Sequence, residues 1–169
     1  CSALPKNNLQ RVVINAGTRI EKNAFRSCHS LISITLSPEM TTIDAAAFSN
    51  CYRLAEICNP SALEITKGSL DNGCIAQYAL NVYTSTEEKS KVMTDADGYV
   101  FYADGDSCYL LAYVGEETSL QLPKSCLGKD YVIREYAFYM GGDITAMTIP
   151  EGVTAIGHSA FMRCESLQT

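Results

Sequence analysis

No stretch of the 169 residues approaches the roughly 18 consecutive apolar residues of a membrane-spanning helix, so no transmembrane segment is expected in this chain. Basic charge is also scarce, with 13 Lys and Arg against 19 Asp and Glu and a formal charge of -6. A nucleic-acid surface needs a net basic face that releases counterions, and this balance argues against one. Histidine occurs only twice, at His29 and His158. The two fall in different phases of the pattern described below, so no cysteine gains the neighbouring histidine that a nucleophile requires. The eight cysteines include no C-x-x-C pair, which removes the usual zinc and redox spacings. Asp95-Ala96-Asp97-Gly98 begins like a calcium loop but lacks the third oxygen ligand and the closing Glu, and Asp104-Gly105-Asp106 reads as a turn. No catalytic residue, metal site or cofactor is expected. At 47% hydrophobic, the chain does have the means to bury one sizeable core.

What is present is an internal repeat. Leu31, Ile34, Leu36, Ile43, Ala47, Phe48 and Cys51 form a template whose next cycle opens 23 residues on, at Leu54. Ile144, Met147, Ile149, Ile156, Ala160, Phe161 and Cys164 repeat it, followed at the same spacing by Leu167. The first cycle, from Leu9 through Val12, Ile14, Ile20, Ala24, Phe25 and Cys28, is one residue shorter. The third opens with Leu54 and Ile57, then places Ser69 and Leu70 where Ala-Phe belongs. A fourth restarts at Leu120 and Leu122 and regains Ala137 and Phe138, with about three extra residues around Gly128 and with Gly141 in the cysteine position. The expected repeats are about 9-30, 31-53, 54-75, 117-143 and 144-166, interrupted by an insertion over 76-116.

In each cycle L-x-x-I-x-I is apolar at period two, which marks a short strand with one buried face. Pro, Gly or polar residues close it, as in Ser37-Pro38 and Pro150-Glu151-Gly152. The I-x-x-x-A-F-x-x-C half carries the chain back, with Phe filling the interior and Ala and Cys fitting the tight corner. One cycle cannot bury these side chains alone, so neighbouring coils must stack them into ladders. The fold class is a repeat solenoid of short β-strands and turns with little helix. Cys28, Cys51 and Cys164 then form a column of small buried thiols. Coils about 4.8 Å apart would permit disulfides, but side chains in parallel register do not converge. Cys58 is expected to face outward, while Cys74, Cys108 and Cys126 sit in irregular parts and are free to pair in ways the spacing does not specify.

Within the insertion, Ser85 and Glu88 have capping-box spacing, which predicts a short helix through Val92 and Met93. Tyr99 to Tyr102 and Tyr109 to Val114 read as a β-hairpin around Asp104-Gly105. Nine of the ten tyrosines lie between Tyr78 and Tyr139, which concentrates the aromatic surface here. Exposed, they would offer rigid contact area with a polar tip to a protein or glycan. Buried, the alternating Tyr99, Phe101, Tyr109, Leu111 and Tyr113 would pack the hairpin onto the coils. Outward positions of the main strands are Arg11, Val13 and Asn15, then Ser33, Thr35 and Ser37, then Glu56 and Cys58, then Ser119 and Gln121, then Ala146 and Thr148. Such a face is the common recognition surface of solenoids. The candidate ligand-binding residues are therefore Tyr99, Tyr102, Tyr109, Tyr113, Arg11, Ser33, Thr35 and Glu56.

IPEGVTAIGHSAFMRCESL, from Ile149 to Leu167, closely resembles the repeat of BspA-type leucine-rich-repeat surface proteins, and LSPEMTTIDAAAFSNCYRL, from Leu36 to Leu54, is a looser copy. The resemblance covers about 9-75 and 117-169, and Asp97 to Gly115 is similar to a segment inserted in some members. It implies a secreted or surface-anchored protein of bacteria or protists that acts as an adhesin, with fibronectin and fibrinogen among the partners of such proteins. The implied setting is extracellular, and the implied partner an extracellular or host protein, or a glycan. A spacer that displays another domain, or a module of an enzyme whose catalytic domain lies elsewhere, are the competing readings. Cys1 and Leu4 match the phase of Cys164 and Leu167, so a piece of a longer array is expected, the rival being a lipidated first residue at Cys1. As interior aromatics, Phe48 and Phe161 should each lose about 3-5 kcal/mol of stability on replacement by Ala, measured by denaturant unfolding.

Overall fold

The structure is a computed structural model describing residues 9-168; the phase match at Cys1 to Leu4 lies outside the described residues. The chain forms two compact units, Cys1–Ser90 and Lys91–Thr169. Stacked coils of short strands and turns are present in both.

In the first unit the strands are β1 (Arg11–Val13), β2 (Arg19–Ile20), β3 (Ser33–Thr35), β4 (Thr42–Ile43) and β5 (Glu56–Cys58). They are followed by a tight turn α1 (Asp71–Cys74), in which Asn72, Gly73 and Cys74 have positive φ, and by β6 (Asn81–Tyr83). The main strands form one parallel sheet in the order β1-β3-β5-β6, and β2 pairs with β4. Strict register stacks Val12 on Ile34, Ile57 and Val82. Ile34 and Ile57 are fully buried, a burial that stabilises by about 1.5-3 kcal/mol per side chain. Phe25 and Phe48 stack at 5.0 Å and 11°, the coil spacing read directly from rings.

The coil turns by a backbone device. Asn23, Ala46, Tyr136 and Ser159, each just before the repeat alanine, have φ between 54° and 61°. Ser27, Asn50, Met140 and Arg163, four residues later, have φ between 61° and 63°. Two left-handed residues per coil fold the return path into a corner, and none of them is glycine. Their direction lets the Phe25 amide donate to the Ala47 carbonyl and the Ser27 amide to the Ser49 carbonyl, at 2.8 and 2.9 Å. Phe138 and Met140 do the same with Ala160 and Met162.

The third coil keeps the amide-carbonyl bond with a different backbone, in which Asn72, Gly73 and Cys74 are left-handed in succession and no second left-handed residue follows four positions later. Phe48 donates to the Gly73 carbonyl at 2.8 Å, so Gly73 and Cys74 hold the Ala-Phe positions, four residues later than expected. Leu70, assigned to the interior from the spacing, is 65% exposed. Gly73 has φ +65°, and a Cβ there would lie 2.9 Å from the Ala47 Cβ. The coil closes on β6, whose residues pair with β5 in the register of the earlier strands. Residues 81-83, placed in the insertion by the sequence pattern, thus belong to the stack.

The second unit contains β7 (Val92–Thr94), β8 (Tyr99–Asp104), β9 (Ser107–Tyr113), β10 (Ser119–Gln121), β11 (Tyr131–Ile133), β12 (Ala146–Thr148) and β13 (Val153–Ile156). No helix follows Ser85. The Ser85 carbonyl accepts from Glu88 in a single turn, and Val92 and Met93 lie in β7, antiparallel to β8. The expected hairpin is β8-β9, with Gly105 at φ +57° in its two-residue turn. It is part of the coil architecture: β9 pairs in parallel with β11, and β11 with β13, in a five-stranded sheet. The extra residues around Gly128 form a tight turn in which Leu127 and Gly128 both have positive φ, closed by reciprocal hydrogen bonds between Cys126 and Lys129. Phe138 and Phe161 stack at 5.4 Å, but Phe161 is only partly buried, which puts Phe161→Ala below Phe48→Ala in cost.

A left-handed L-residue costs about 1-2 kcal/mol, and glycine returns part of this gain through its looser unfolded chain. Ala46→Gly and Arg163→Gly are therefore each expected to raise the unfolding free energy by about 0.5-1 kcal/mol, while Asn50→Gly stays near zero because Asn already tolerates this region. Chemical denaturation of the three variants checks the order.

Candidate functional site

The outward rows of the first unit run Arg11–Ser33–Glu56–Asn81 and Val13–Thr35–Cys58–Tyr83. Along each row accessibility falls and then partly returns. Arg11 and Val13 are exposed, Val13 to 51%; Ser33 and Thr35 are half-buried; Glu56 and Cys58 are 1% and 2% exposed; Asn81 and Tyr83 are half-buried. A sequence-distant segment of the same unit reaches the row of Glu56. Ser90 Oγ donates a short hydrogen bond to Glu56 Oε2, and the Glu88 carboxylate lies close enough to act on both Cys58 and Tyr83. Residues 84-90 thus form a strap that is fastened to β5 at Glu56. Burial first, then Glu88 and Glu56, push the Cys58 thiol pKa up; burial, then Glu56, push the Tyr83 phenol to about 12. Cys58 does point away from the coil interior as expected, but it is covered, and Glu56 is withdrawn from the accessible candidate surface for the same reason.

The tyrosines of the second unit divide differently. Tyr99 and Tyr102 are buried, whereas Tyr109 and Tyr113 are half-buried. Tyr99 packs at 5.0 Å against Tyr113 and donates its OH to the Gln121 carbonyl at 3.0 Å. Tyr131, which the sequence reading did not single out, meets Phe101 edge-on at 5.2 Å and donates to the Pro123 carbonyl at 2.7 Å. Burial raises both phenols to about 12, with Tyr113 the next cause for Tyr99 and Tyr99 the next for Tyr131, so both stay donors at neutral pH. The Tyr113 OH accepts from the Glu117 amide. A register shift at Val100/Phe101 places Leu110 opposite Phe101, so Leu110 joins the cluster of Tyr99, Phe101 and Tyr131, where simple alternation would put Leu111; both leucines are buried. Of the four candidate tyrosines, Tyr109 and Tyr113 keep partly open rings, and Tyr99 and Tyr102 are buried.

The Asp95 carboxylate is used locally, accepting from the Tyr99 amide at 2.8 Å and the Asp97 amide at 3.1 Å. No group of three or more His, Cys, Asp or Glu is arranged to hold a metal among the described residues. The cysteine column explains itself. Cys51 Sγ donates to the Phe25 carbonyl and Cys164 Sγ to the Phe138 carbonyl, both at 3.1 Å. Each thiol is thereby aimed at the preceding coil's backbone. The sequence reading missed an open cleft of about 550 Å³ in the second unit, lined by Lys124, Asp130, Pro150, Glu151 and Gly152. Its only sequence signal is the turn Pro150-Glu151-Gly152.

Six copies of the BspA type leucine rich repeat region match residues 2-91 and 131-169. The chain belongs to the BspA-type leucine-rich-repeat family. Members of this family are often surface-associated and bind proteins, and the repeat is generally a non-catalytic binding scaffold. No curated protein and no solved structure matches the chain. No helix among the described residues is long and apolar enough to cross a membrane. In this BspA-type chain the outward strand face is accessible chiefly along the rows of β1 and β3. Replacing residues 84-90 by a Gly-Ser linker of equal length should raise the rate of Cys58 alkylation in the native protein by about tenfold or more, read by peptide mass mapping. An unchanged rate would mean that the strap does not cover the face.

Proposed function

We propose that this protein is a non-catalytic binding module of a cell surface, recognising an extracellular protein or a glycan through the open part of its strand face. The observation that carries this reading is the contrast along one sheet: the chain covers its own outward rows at Glu56 and Cys58 and leaves Arg11, Val13, Ser33 and Thr35 accessible. An exposed valine beside an arginine is an apolar and charged pair of the kind that anchors protein contacts, and the hydroxyls of Ser33 and Thr35 supply adaptable hydrogen bonds. On the second unit Tyr109 is a separate candidate anchor. The family's frequent surface association supports the extracellular setting and its adhesive role.

A display stalk is the second reading, favoured by the burial of Glu56 and Cys58, which leaves a short recognition face. Binding to immobilised matrix proteins and to a glycan array separates the two. For the binding module, Arg11→Ala with Val13→Ser should weaken the interaction by about tenfold or more without lowering the melting temperature, and Tyr109→Ala should test the second unit in the same assay. Uniformly negative binding of the unaltered protein supports the stalk.

A further inference from the structure

Two cysteines outside the ladder are brought together by two tips of the second unit. Cys108 lies just past the hairpin turn Gly105-Asp106, and Cys126 opens the tight turn that closes at Lys129. The tips are fastened from outside by Lys129, whose Nζ donates to the Gly105 carbonyl at 2.7 Å and to Asp106 Oδ1 at 2.9 Å. Beneath this exposed ion pair the two thiols are 4% and 3% accessible and belong to one apolar cluster. Cys108 Sγ donates to the Cys126 carbonyl at 3.7 Å, and its side chain also hydrogen-bonds the Cys126 thiol. Unlike the ladder cysteines, which aim along the stack at a carbonyl, these two sulfurs approach each other from different elements.

We propose that Cys108 and Cys126 are a dithiol-disulfide pair, closed in an oxidising setting into a bond that locks the hairpin tip to the 126-129 turn. The oxidant is a low-molecular-weight disulfide. One protein thiolate attacks it, forming a mixed disulfide and releasing one small thiol; the second protein sulfur then attacks the mixed disulfide and releases the other. Two electrons pass from the cysteine pair to the small disulfide, and both protons end on the small thiols. Burial, then the hydrogen bond and charge of Cys108, raise the Cys126 thiol to about 12. The reactive thiolate of Cys126 is accordingly rare in the folded state, and the bond forms during folding, before the cluster closes. A surface ion pair alone holds the tips weakly, whereas a crosslink between cysteines 18 positions apart restricts the unfolded chain substantially.

The test refolds the unaltered chain from guanidinium with a mixture of oxidised and reduced glutathione, then denatures, alkylates and maps peptides by mass. The expected result is a loss of two alkylatable thiols, a single crosslinked peptide joining Cys108 to Cys126, and a melting temperature above that of protein refolded with dithiothreitol. Cys108→Ser should abolish the loss. Because the crosslink is mapped on the unaltered chain, a variant that fails to fold does not weaken the test. Full alkylation of every cysteine, or crosslinks scattered among Cys28, Cys51, Cys58, Cys74 and Cys164, would overturn the proposal.

Discussion

Coil closure, achieved by two left-handed corners and the amide-carbonyl bonds they aim, is the constraint on which both units depend. If the chain missed its phase at either corner, the next strand would enter shifted, and a one-residue slip would send Ile34 or Ile57 to solvent. The Phe amide reaching the next Ala carbonyl is therefore more than one bond in a ladder. It holds the return path in the register that the strand sheet requires, and the stacked rings of Phe25 and Phe48 and of Phe138 and Phe161 follow from it. The thiols of Cys51 and Cys164 reinforce the same corner by adding a second, weaker donor to the Phe carbonyl of the preceding coil.

Much of this was legible in the residues, because ladders require apolar side chains at fixed offsets, and a fixed offset survives as a period. The interior row through Val12, Ile34 and Ile57 could be read in this way, as could the Ala-Phe corner of four cycles. The third coil could not. Gly73 and Cys74 keep the corner's amide-carbonyl bond without resembling Ala-Phe, and the added residues before them shift the frame, so the pattern pointed to Ser69 and Leu70. Left-handed positions were equally hidden, since Ala46, Tyr136 and Arg163 carry no signature of positive φ. The predicted helix after Ser85 rested on a local capping pattern, and strand pairing of Val92 and Met93 with β8 prevailed over it.

The candidate surface shows where local reasoning stops. Outward direction follows from strand alternation, and Arg11, Ser33, Glu56 and their neighbours do lie in outward rows. Accessibility does not follow, because it depends on whether another segment lies across the row, and nothing near Glu56 in sequence announces Ser90. The hairpin illustrates the same limit from the other side. Its tyrosines are abundant in a way that suggests contact with a partner, yet Tyr99 is held by a backbone carbonyl and packed on Tyr113, and the register shift at Val100 decides that Leu110, rather than Leu111, packs with Tyr99 and Phe101. What the alternation pattern could supply was a choice between surface and core; the bulge and the parallel pairing with β11 made that choice residue by residue.

The corner positions carry a broader consequence. Because backbone dihedrals rather than particular side chains shape the turn, residues as different as Asn23, Ala46, Tyr136 and Ser159 occupy one equivalent corner, and Ser27, Asn50, Met140 and Arg163 the other. The outside of each coil is in that sense chemically unassigned: charge, aromatic area or hydroxyls can be written there one coil at a time while the interior ladder stays the same. A family built on such a corner can diversify its contacts without redesigning its fold.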